Sequence, residues 1–186
     1  MSDSAPTPRA AKVIVPLALL FFVPLLAAYT IFFYFPEWIP EGKTNYGTLV
    51  SPARPATGFA DALKGRWTYV YLADDGCTER CLEKLVQIRQ IRLALNEKRQ
   101  RVQRVLLVSR TDEALRLAEA LKAEHPDLRV LADSDGKARE FFAPADADAL
   151  YLLDPLGNWL MTYPAAAESR GLFKDIKKLL RLSQIG

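Results

Sequence analysis

The sequence predicts an α/β domain behind an N-terminal membrane-spanning helix. Two observations support this prediction. An uncharged apolar run lies near the N-terminus, and beyond residue 61 short β-branched segments alternate with amphipathic ones. At 186 residues the chain is long enough for one domain with an appendage, and its net charge of +3 is too small to indicate a nucleic-acid partner.

The apolar run extends from Val13 to Phe35 and is long enough to cross a bilayer. Its 23 residues carry no charge, and about 20 residues span the hydrocarbon core. A cleaved signal peptide is the alternative, but its apolar core usually holds only about 7–15 residues and ends at a small-residue site. Here Ala27 and Ala28 lie inside the run and aromatic residues follow them. We therefore predict an uncleaved transmembrane helix at 13–35, with the lipid bilayer as a partner.

The charges that flank this run favour a cytoplasmic N-terminal tail at residues 1–12. Arg9 and Lys12 precede the run, whereas two glutamates and one lysine follow it closely. Arg54 lies near enough to weaken this difference. In the favoured orientation the rest of the chain faces an oxidising compartment, where a cysteine pair can cycle or cross-link.

Beyond the membrane, the composition predicts a tether at 36–60 and a domain at 61–186. The tether is rich in proline, glycine and threonine, with one short strand expected at 47–50. Five strands are predicted in the domain, at Trp67–Leu72, Val102–Ser109, Leu128–Asp133, Ala149–Asp154 and Trp159–Tyr163. Four helices are predicted, at about 78–100, 111–124, 136–142 and 166–182.

The order of these elements, β-α-β-α-β-α-β-β-α, predicts a largely parallel sheet completed by an antiparallel hairpin. This order is compatible with a thioredoxin-like sandwich. The outer face of the last helix is strongly basic. Its cations are Arg170, Lys174, Lys177, Lys178 and Arg181. A solvated face of a helix that packs on a sheet is the favoured interpretation, and contact with lipid headgroups is the alternative.

Both cysteines of the chain, Cys77 and Cys81, lie in the segment DDGCTERC. The predicted order puts Cys77 between the first domain strand and its helix, and Cys81 one turn later. Residues at i and i+4 of a helix have Cβ atoms about 5–6 Å apart, against about 3.8 Å in a disulfide. Closing the bond should therefore need a local adjustment of the first turn. A loop this small gives little entropic stabilisation, so the spacing favours a reversible dithiol over a structural disulfide.

Two chemistries suit such a pair. A helix N-terminus favours the thiolate of Cys77, which is the reactive species in thiol exchange. Two thiolates that face one way also suit the soft ion Cu(I). Asp74 and Asp75 directly precede the pair and would oppose ionisation of Cys77 if they approached it, although loop acids that face water are favoured. The structural alternative is two thiols that pack beside the sheet.

Three segments of the chain, GRWTYVYL, CTERC and LYLLDPLG, hold a strand after GRW, a C-x3-C pair and a D-P-x-G turn. With the N-terminal anchor, they resemble the Sco/SenC family, the membrane-anchored thioredoxin-like proteins that help to assemble the copper centre of cytochrome c oxidase. The C-x3-C spacing differs from the C-x2-C of ordinary thioredoxins. The resemblance implies a periplasmic domain anchored in a bacterial inner membrane, with an oxidase subunit or other assembly factors as partners.

The chain departs from this family at the third copper ligand. The resemblance implies a histidine near Asp146, and none lies there. The sequence holds one histidine, His125, which we expect on the surface at the opposite end of the sheet. Asp146 or Asp148 could stand near the cysteines, but a carboxylate is poorly matched to Cu(I). The prolines that commonly follow the cysteines in the family are replaced by Thr78 and Leu82.

The favoured function is that of a Sco-like assembly factor that works by thiol–disulfide exchange. Cys77 would attack a disulfide in a client protein, and Cys81 would resolve the mixed disulfide. The resemblance implies that the client is the copper-binding cysteine pair of the oxidase subunit. Two alternatives stay open: a metallochaperone that holds Cu(I) with Cys77 and Cys81, and a scaffold without enzymatic activity. No glycine-rich phosphate loop, zinc-ligand cluster or nucleophile elbow is present. No cofactor is assigned with certainty, and the two thiolates make Cu(I) a candidate.

Overall fold

The computed structural model describes residues 8–35, 37, 45–56, 58–59, 61–73, 76–144, 146 and 148–185. The chain divides into two units, Met1–Lys43 and Thr44–Gly186. The second unit therefore begins well before residue 61, where the composition predicted the domain to start.

The first unit contains one long helix, α1 (Pro8–Tyr34). Its segment Lys12–Tyr34 is long and apolar enough to cross a membrane, which agrees with the span predicted at 13–35. Two prolines, Pro16 and Pro24, lie inside the helix, and membrane helices tolerate such residues. By length and composition, α1 is a candidate membrane span.

The second unit is a mixed six-stranded sheet with helices on both faces. Its strands are β1 (Thr48–Pro55), β2 (Trp67–Ala73), β3 (Val102–Val108), β4 (Leu128–Ala132), β5 (Leu150–Leu153) and β6 (Asn158–Tyr163). Its helices are α2 (Glu79–Ala94), α3 (Thr111–Leu121), α4 (Lys137–Phe141) and α5 (Ser169–Leu182). The strand order is β1-β6-β5-β2-β3-β4. Strands β2, β3 and β4 are parallel, and β5 and β6 form the predicted antiparallel hairpin.

The central strand β2 serves both layers of the core, because successive side chains of a strand point to opposite faces. On one face Tyr69 and Tyr71 pack with apolar residues of α2, α3 and α5. On the other face Val70 packs in a smaller cluster with Phe142 and Trp159. Burial on both faces explains why apolar side chains follow one another in most of β2 and in the second half of β3.

The edge strand β1 corrects the predicted tether. We expected one short strand at 47–50, but β1 pairs with β6 as far as Pro55, with an irregular register between Leu49 and Arg54. The prolines of this segment suggested a linker because proline cannot donate to a sheet ladder. An edge strand bonds on one side only, so it accommodates them.

All four helices of the second unit are shorter than predicted. Helix α3 ends at Leu121 instead of about residue 124, and α4 covers Lys137–Phe141 instead of about 136–142. Helix α2 ends at Ala94 instead of about residue 100, and a 3-10 turn, Asn96–Arg101, replaces its last part. Asn96 adopts a φ of 51°, a left-handed conformation that ends an α-helix. Helix α5 begins at Ser169, three residues later than predicted.

Candidate thiol–disulfide site

The cysteine pair lies where β2 passes into α2, as predicted. Cys77 stands just before Thr78, the N-cap residue of α2, and Cys81 occupies the first turn of the helix. The Thr78 hydroxyl accepts a hydrogen bond from the backbone N–H of Cys81, with an N–O distance of 3.5 Å. The helix start that the sequence indicated therefore holds Cys81 in place. The adjacent acids Asp74 and Asp75 lie outside the described residues.

The two cysteines form a disulfide bond, with their Cα atoms 5.1 Å apart. This separation is within the usual range of about 4.4–6.8 Å. The adjustment that we expected is made at Thr78, whose backbone is extended, so Cys77 lies outside the helix. Cys81 is buried, with 1% of its surface exposed, whereas Cys77 is only partly buried. A reagent or client protein could therefore reach Cys77 but not Cys81.

A carboxylate from another part of the chain approaches the loop between the cysteines. Asp148 adopts a left-handed conformation with a φ of 58° just before β5. It accepts a 2.6 Å hydrogen bond from the Tyr71 hydroxyl and a 3.4 Å contact from the Arg80 guanidinium. Arg80 lies between the two cysteines in sequence, so Asp148 contacts this loop from one side.

The environment of Asp148 keeps it ionised. The hydrogen bond from Tyr71 lowers the pKa of Asp148, burial opposes this effect, and Arg80 adds to the lowering. From the sequence, either Asp146 or Asp148 could stand near the cysteines. The structure instead leaves Asp146 exposed and brings Asp148 to the cysteine loop.

His125 lies at the opposite end of the sheet from the cysteines, as expected, next to the start of β4. Our expectation of a surface side chain was wrong, because only 2% of its surface is exposed. Its Nδ1 lies 3.3 Å from the guanidinium of the buried Arg104. Burial, followed by the positive charges of Arg104 and Arg89, lowers the pKa of His125. His125 is therefore a buried structural side chain, far from the cysteine chemistry.

The ionic group around Arg104 was not predicted from the sequence. This strand residue is fully buried and makes two hydrogen bonds to the carboxylate of Asp127, with N–O distances of 3.0 and 2.6 Å. A third bond reaches the carbonyl of Leu85 on α2. Within the described part of the chain, no group of three or more His, Cys, Asp or Glu side chains is arranged to hold a metal ion.

A family model described as "Transmembrane-like, thioredoxin-like, C-terminal domain" matches residues 67–183. The matched region contains the cysteine pair and every element from β2 to α5. The chain belongs to this family. The thioredoxin-like fold that the sequence predicted is thereby confirmed. No curated protein matches the sequence.

Solved structures confirm the resemblance to Sco proteins in fold. Yeast Sco1 is similar with a TM-score of 0.56 and 18% identity, over 66% of this chain and 84% of that one. ScoI from Arabidopsis thaliana with copper bound has a TM-score of 0.53 and 19% identity, over 66% and 89%. A putative thioredoxin from Neisseria meningitidis gives 0.53 and 19%, over 75% and 93%. At this level of identity the similarity concerns the fold.

Proposed function

We propose that this protein is a membrane-anchored, Sco-like factor that assists assembly of the copper centre of cytochrome c oxidase by thiol–disulfide exchange. One observation carries the proposal: a partly exposed Cys77 is bonded to a buried Cys81 at the carboxyl end of β2. This asymmetry assigns different roles to the two sulfurs. The accessible sulfur begins the exchange, and the buried sulfur completes it.

The exchange that we propose proceeds in two steps from the reduced pair. The Cys77 thiolate attacks one sulfur of a client disulfide, so a mixed disulfide forms and the other client sulfur leaves as a thiolate. Cys81 then loses its proton and attacks the Cys77 sulfur, which releases the second client thiolate. The client gains two electrons and the pair becomes the Cys77–Cys81 disulfide. An external dithiol must then reduce this disulfide before another cycle.

The proposed client is the copper-binding cysteine pair of an oxidase subunit, which must be reduced before copper enters. This choice rests on the resemblance to Sco proteins. It places the domain on the periplasmic side of a bacterial inner membrane, with α1 as the anchor. The flanking charges Arg9 and Lys12 support this orientation.

Copper delivery by the pair itself is the main competing function. Two thiolates are suitable ligands for Cu(I), and the family resemblance brings copper into consideration. The carboxylate that contacts the loop between the cysteines, Asp148, is a hard ligand that already accepts hydrogen bonds from Tyr71 and Arg80. Cu(I) would therefore have to be held by two sulfurs alone, which favours exchange over copper delivery.

Trapping of the mixed disulfide tests the exchange. The full chain in detergent micelles is reduced, freed of reductant and mixed with an oxidised peptide that carries the cysteine pair of an oxidase subunit. The Cys81→Ser variant should accumulate a mixed disulfide, whereas Cys77→Ser should form at least tenfold less, because Cys81 is buried (about 1.4 kcal/mol in the barrier). Equal trapping by the two variants would contradict the assigned roles.

An anaerobic Cu(I) titration against a competing chelator distinguishes the remaining functions. Tight one-to-one binding that is lost in Cys77→Ser, without any peptide exchange, would make the protein a copper carrier. If neither exchange nor copper binding is observed, the scaffold function remains. Exchange with weak or no copper binding is the result that the proposal expects.

A further inference from the structure

A groove of about 250 Å³ on the second unit is lined by basic side chains. Four of them belong to α5 and one to the 3-10 turn after α2. They are Lys98, Lys174, Lys177, Lys178 and Arg181. These five charges exceed the net charge of +3 of the whole chain, so the remaining residues are net negative. Every residue that lines this surface is positively charged, and we call it the basic groove.

The composition of α5 explains why no acid on that helix neutralises the basic groove. The apolar residues Leu172, Ile176 and Leu180 are buried on one side of the helix. The one acidic residue of α5, Asp175, is also buried. Its carboxylate is occupied by the backbone N–H groups of Tyr46 and Gly47 and by the hydroxyl of Tyr163. The outer side of α5 is left to cations.

The surface next to the basic groove is partly apolar. A neighbouring groove of about 410 Å³ shares Lys98 and Lys177 with it and is also lined by Leu95 and Phe173. Glu97 is the acidic side chain in this second lining. A ligand that carries a negative head and an apolar portion would match the two grooves together better than a small inorganic anion would.

The chain enters the second unit at the basic groove. Tyr46 donates its backbone N–H to Asp175 at 2.9 Å, and its hydroxyl accepts a 2.8 Å hydrogen bond from Lys174. The candidate membrane span ends at Tyr34. A fully extended chain from Tyr34 to Tyr46 covers at most about 43 Å. If α1 is the anchor, a connection of this length allows the groove to reach a membrane surface.

We propose that the basic groove binds the headgroups of anionic phospholipids and holds the domain on the membrane in which α1 is anchored. Positive groups near an anionic leaflet are attracted to it over roughly a Debye length. The proposal rests on the membrane anchoring proposed above, but it does not depend on the cysteine chemistry. An experiment can therefore show that the lipid binding fails while the thiol exchange holds, or the reverse.

Lysine footprinting of the full chain tests this proposal. The protein is incorporated into nanodiscs of phosphatidylcholine alone, or of phosphatidylcholine with 30 mol% phosphatidylglycerol, and acetylated briefly before mass spectrometry. Labelling of Lys98 and Lys177 should fall by about fivefold in the anionic discs, the effect expected for one basic residue at such a surface. Lys122 and Lys137, which are exposed elsewhere on the domain, should be labelled equally in both. About 0.5 M salt should remove the difference, since screening shortens the attraction to a few ångströms.

A charge-reversal pair provides the matched control. Lys177→Glu with Arg181→Glu should abolish the protection of Lys98. Arg116→Glu with Lys122→Glu makes the same charge change on exposed residues in and directly after α3, and it should leave the protection intact. Equal labelling of Lys98 in the two disc compositions, or protection that survives the first pair of substitutions, would overturn the proposal. A chain that does not enter the discs at all would overturn it together with the anchoring, whereas the peptide-trapping result would be unaffected.

Discussion

Polar side chains lie at both ends of the central strands β2 and β3. At one end they are buried and hydrogen-bonded, and at the other end they are partly exposed. Near the start of β3, Arg104 is fully buried, and its guanidinium is bonded to Asp127, Leu85 and His125. Beyond the end of β2, Cys77 is partly exposed, and its disulfide bond to Cys81 can be changed only by a chemical reaction. A buried group with a complete set of partners has nothing left to offer a substrate.

The electrostatics of the two ends differ in the same way. Burial opposes ionisation of Asp127, yet the hydrogen bond and charge of Arg104, with Arg92, lower the pKa of Asp127. The Asp127 carboxylate forms ion pairs with the guanidinium groups of Arg104 and Arg92. Asp148 at the cysteine end is bound by one buried hydroxyl and by an exposed arginine that is free to move away. We infer that the Arg104 end stabilises the fold, whereas the exchange chemistry proposed above belongs to the cysteine end.

The largest expected effect is the loss of stability when Arg104 is replaced by Met. The substitution removes both hydrogen bonds to Asp127, and breaking a buried ion pair typically costs about 3–5 kcal/mol. Unfolding of the full chain in detergent micelles, followed by near-ultraviolet circular dichroism, measures the change. Arg116→Met, at an exposed position of α3, is the matched control and should leave the midpoint unchanged. Similar midpoints for the two variants would refute the structural role of Arg104.

A smaller loss is expected when the disulfide is reduced. The chain-entropy model gives a bond that closes so short a loop at most about 2 kcal/mol, less than the Arg104 substitution removes. The same unfolding measurement, with and without a phosphine reductant, gives the difference. A variant with both cysteines changed to serine should not respond to the reductant. If reduction destabilised the fold more than Arg104→Met, the pair would be a structural staple and the contrast between the two ends would fail.

The sequence predicted the cysteine end much better than the Arg104 end. The strand before Cys77 and the helix after it follow from local signals, a β-branched aromatic run and a threonine cap. Burial of Arg104 depends on Asp127, which is 23 residues further along the chain, in the connection between α3 and β4. A strand pattern cannot show that a charged residue has a buried partner, so this group escaped prediction.

The choice between Asp146 and Asp148 also required the folded chain. The two carboxylates are alike in sequence context, and the family resemblance placed the histidine position near Asp146. The decisive features are the left-handed backbone of Asp148 and its bond to Tyr71, which is 77 residues away. Likewise, β1 is a strand because β6 offers it an edge, although its own composition is that of a linker.

A third, smaller effect is expected from pH at the Arg104 end. Because the pKa of His125 is lowered in the folded state by burial and by Arg104, the unfolded chain binds a proton at higher pH than the folded one does. The stability from neutral His125 is therefore present above its unfolded pKa of about 6.5 and is lost as the pH falls through the folded value.

The His125→Asn variant tests this linkage, because an amide oxygen can still accept from Arg104 but does not titrate. The thermal midpoint of the wild-type chain should fall between pH 7.5 and 5, by less than the shift caused by Arg104→Met. The variant should lose less over the same range. Identical pH profiles for the two proteins would remove His125 from the stabilising group.

The smallest effect is expected at the cysteine end, from Asp148→Asn. Asp148 neutralises part of the charge of Arg80, which lies in the loop between the cysteines. Without the carboxylate, Arg80 should favour the Cys77 thiolate more strongly, and alkylation of the reduced chain by iodoacetamide at pH 7 should accelerate by about twofold.

Asp146→Asn is the matched control, because it removes the same charge from an exposed position in the same connection. In an Arg80→Gln background, Asp148→Asn should have a weaker effect, since the two residues act as a pair. Equal acceleration by both asparagine substitutions would mean that net charge alone is responsible, and the carboxylate that distinguishes this end from the other would then have no specific role.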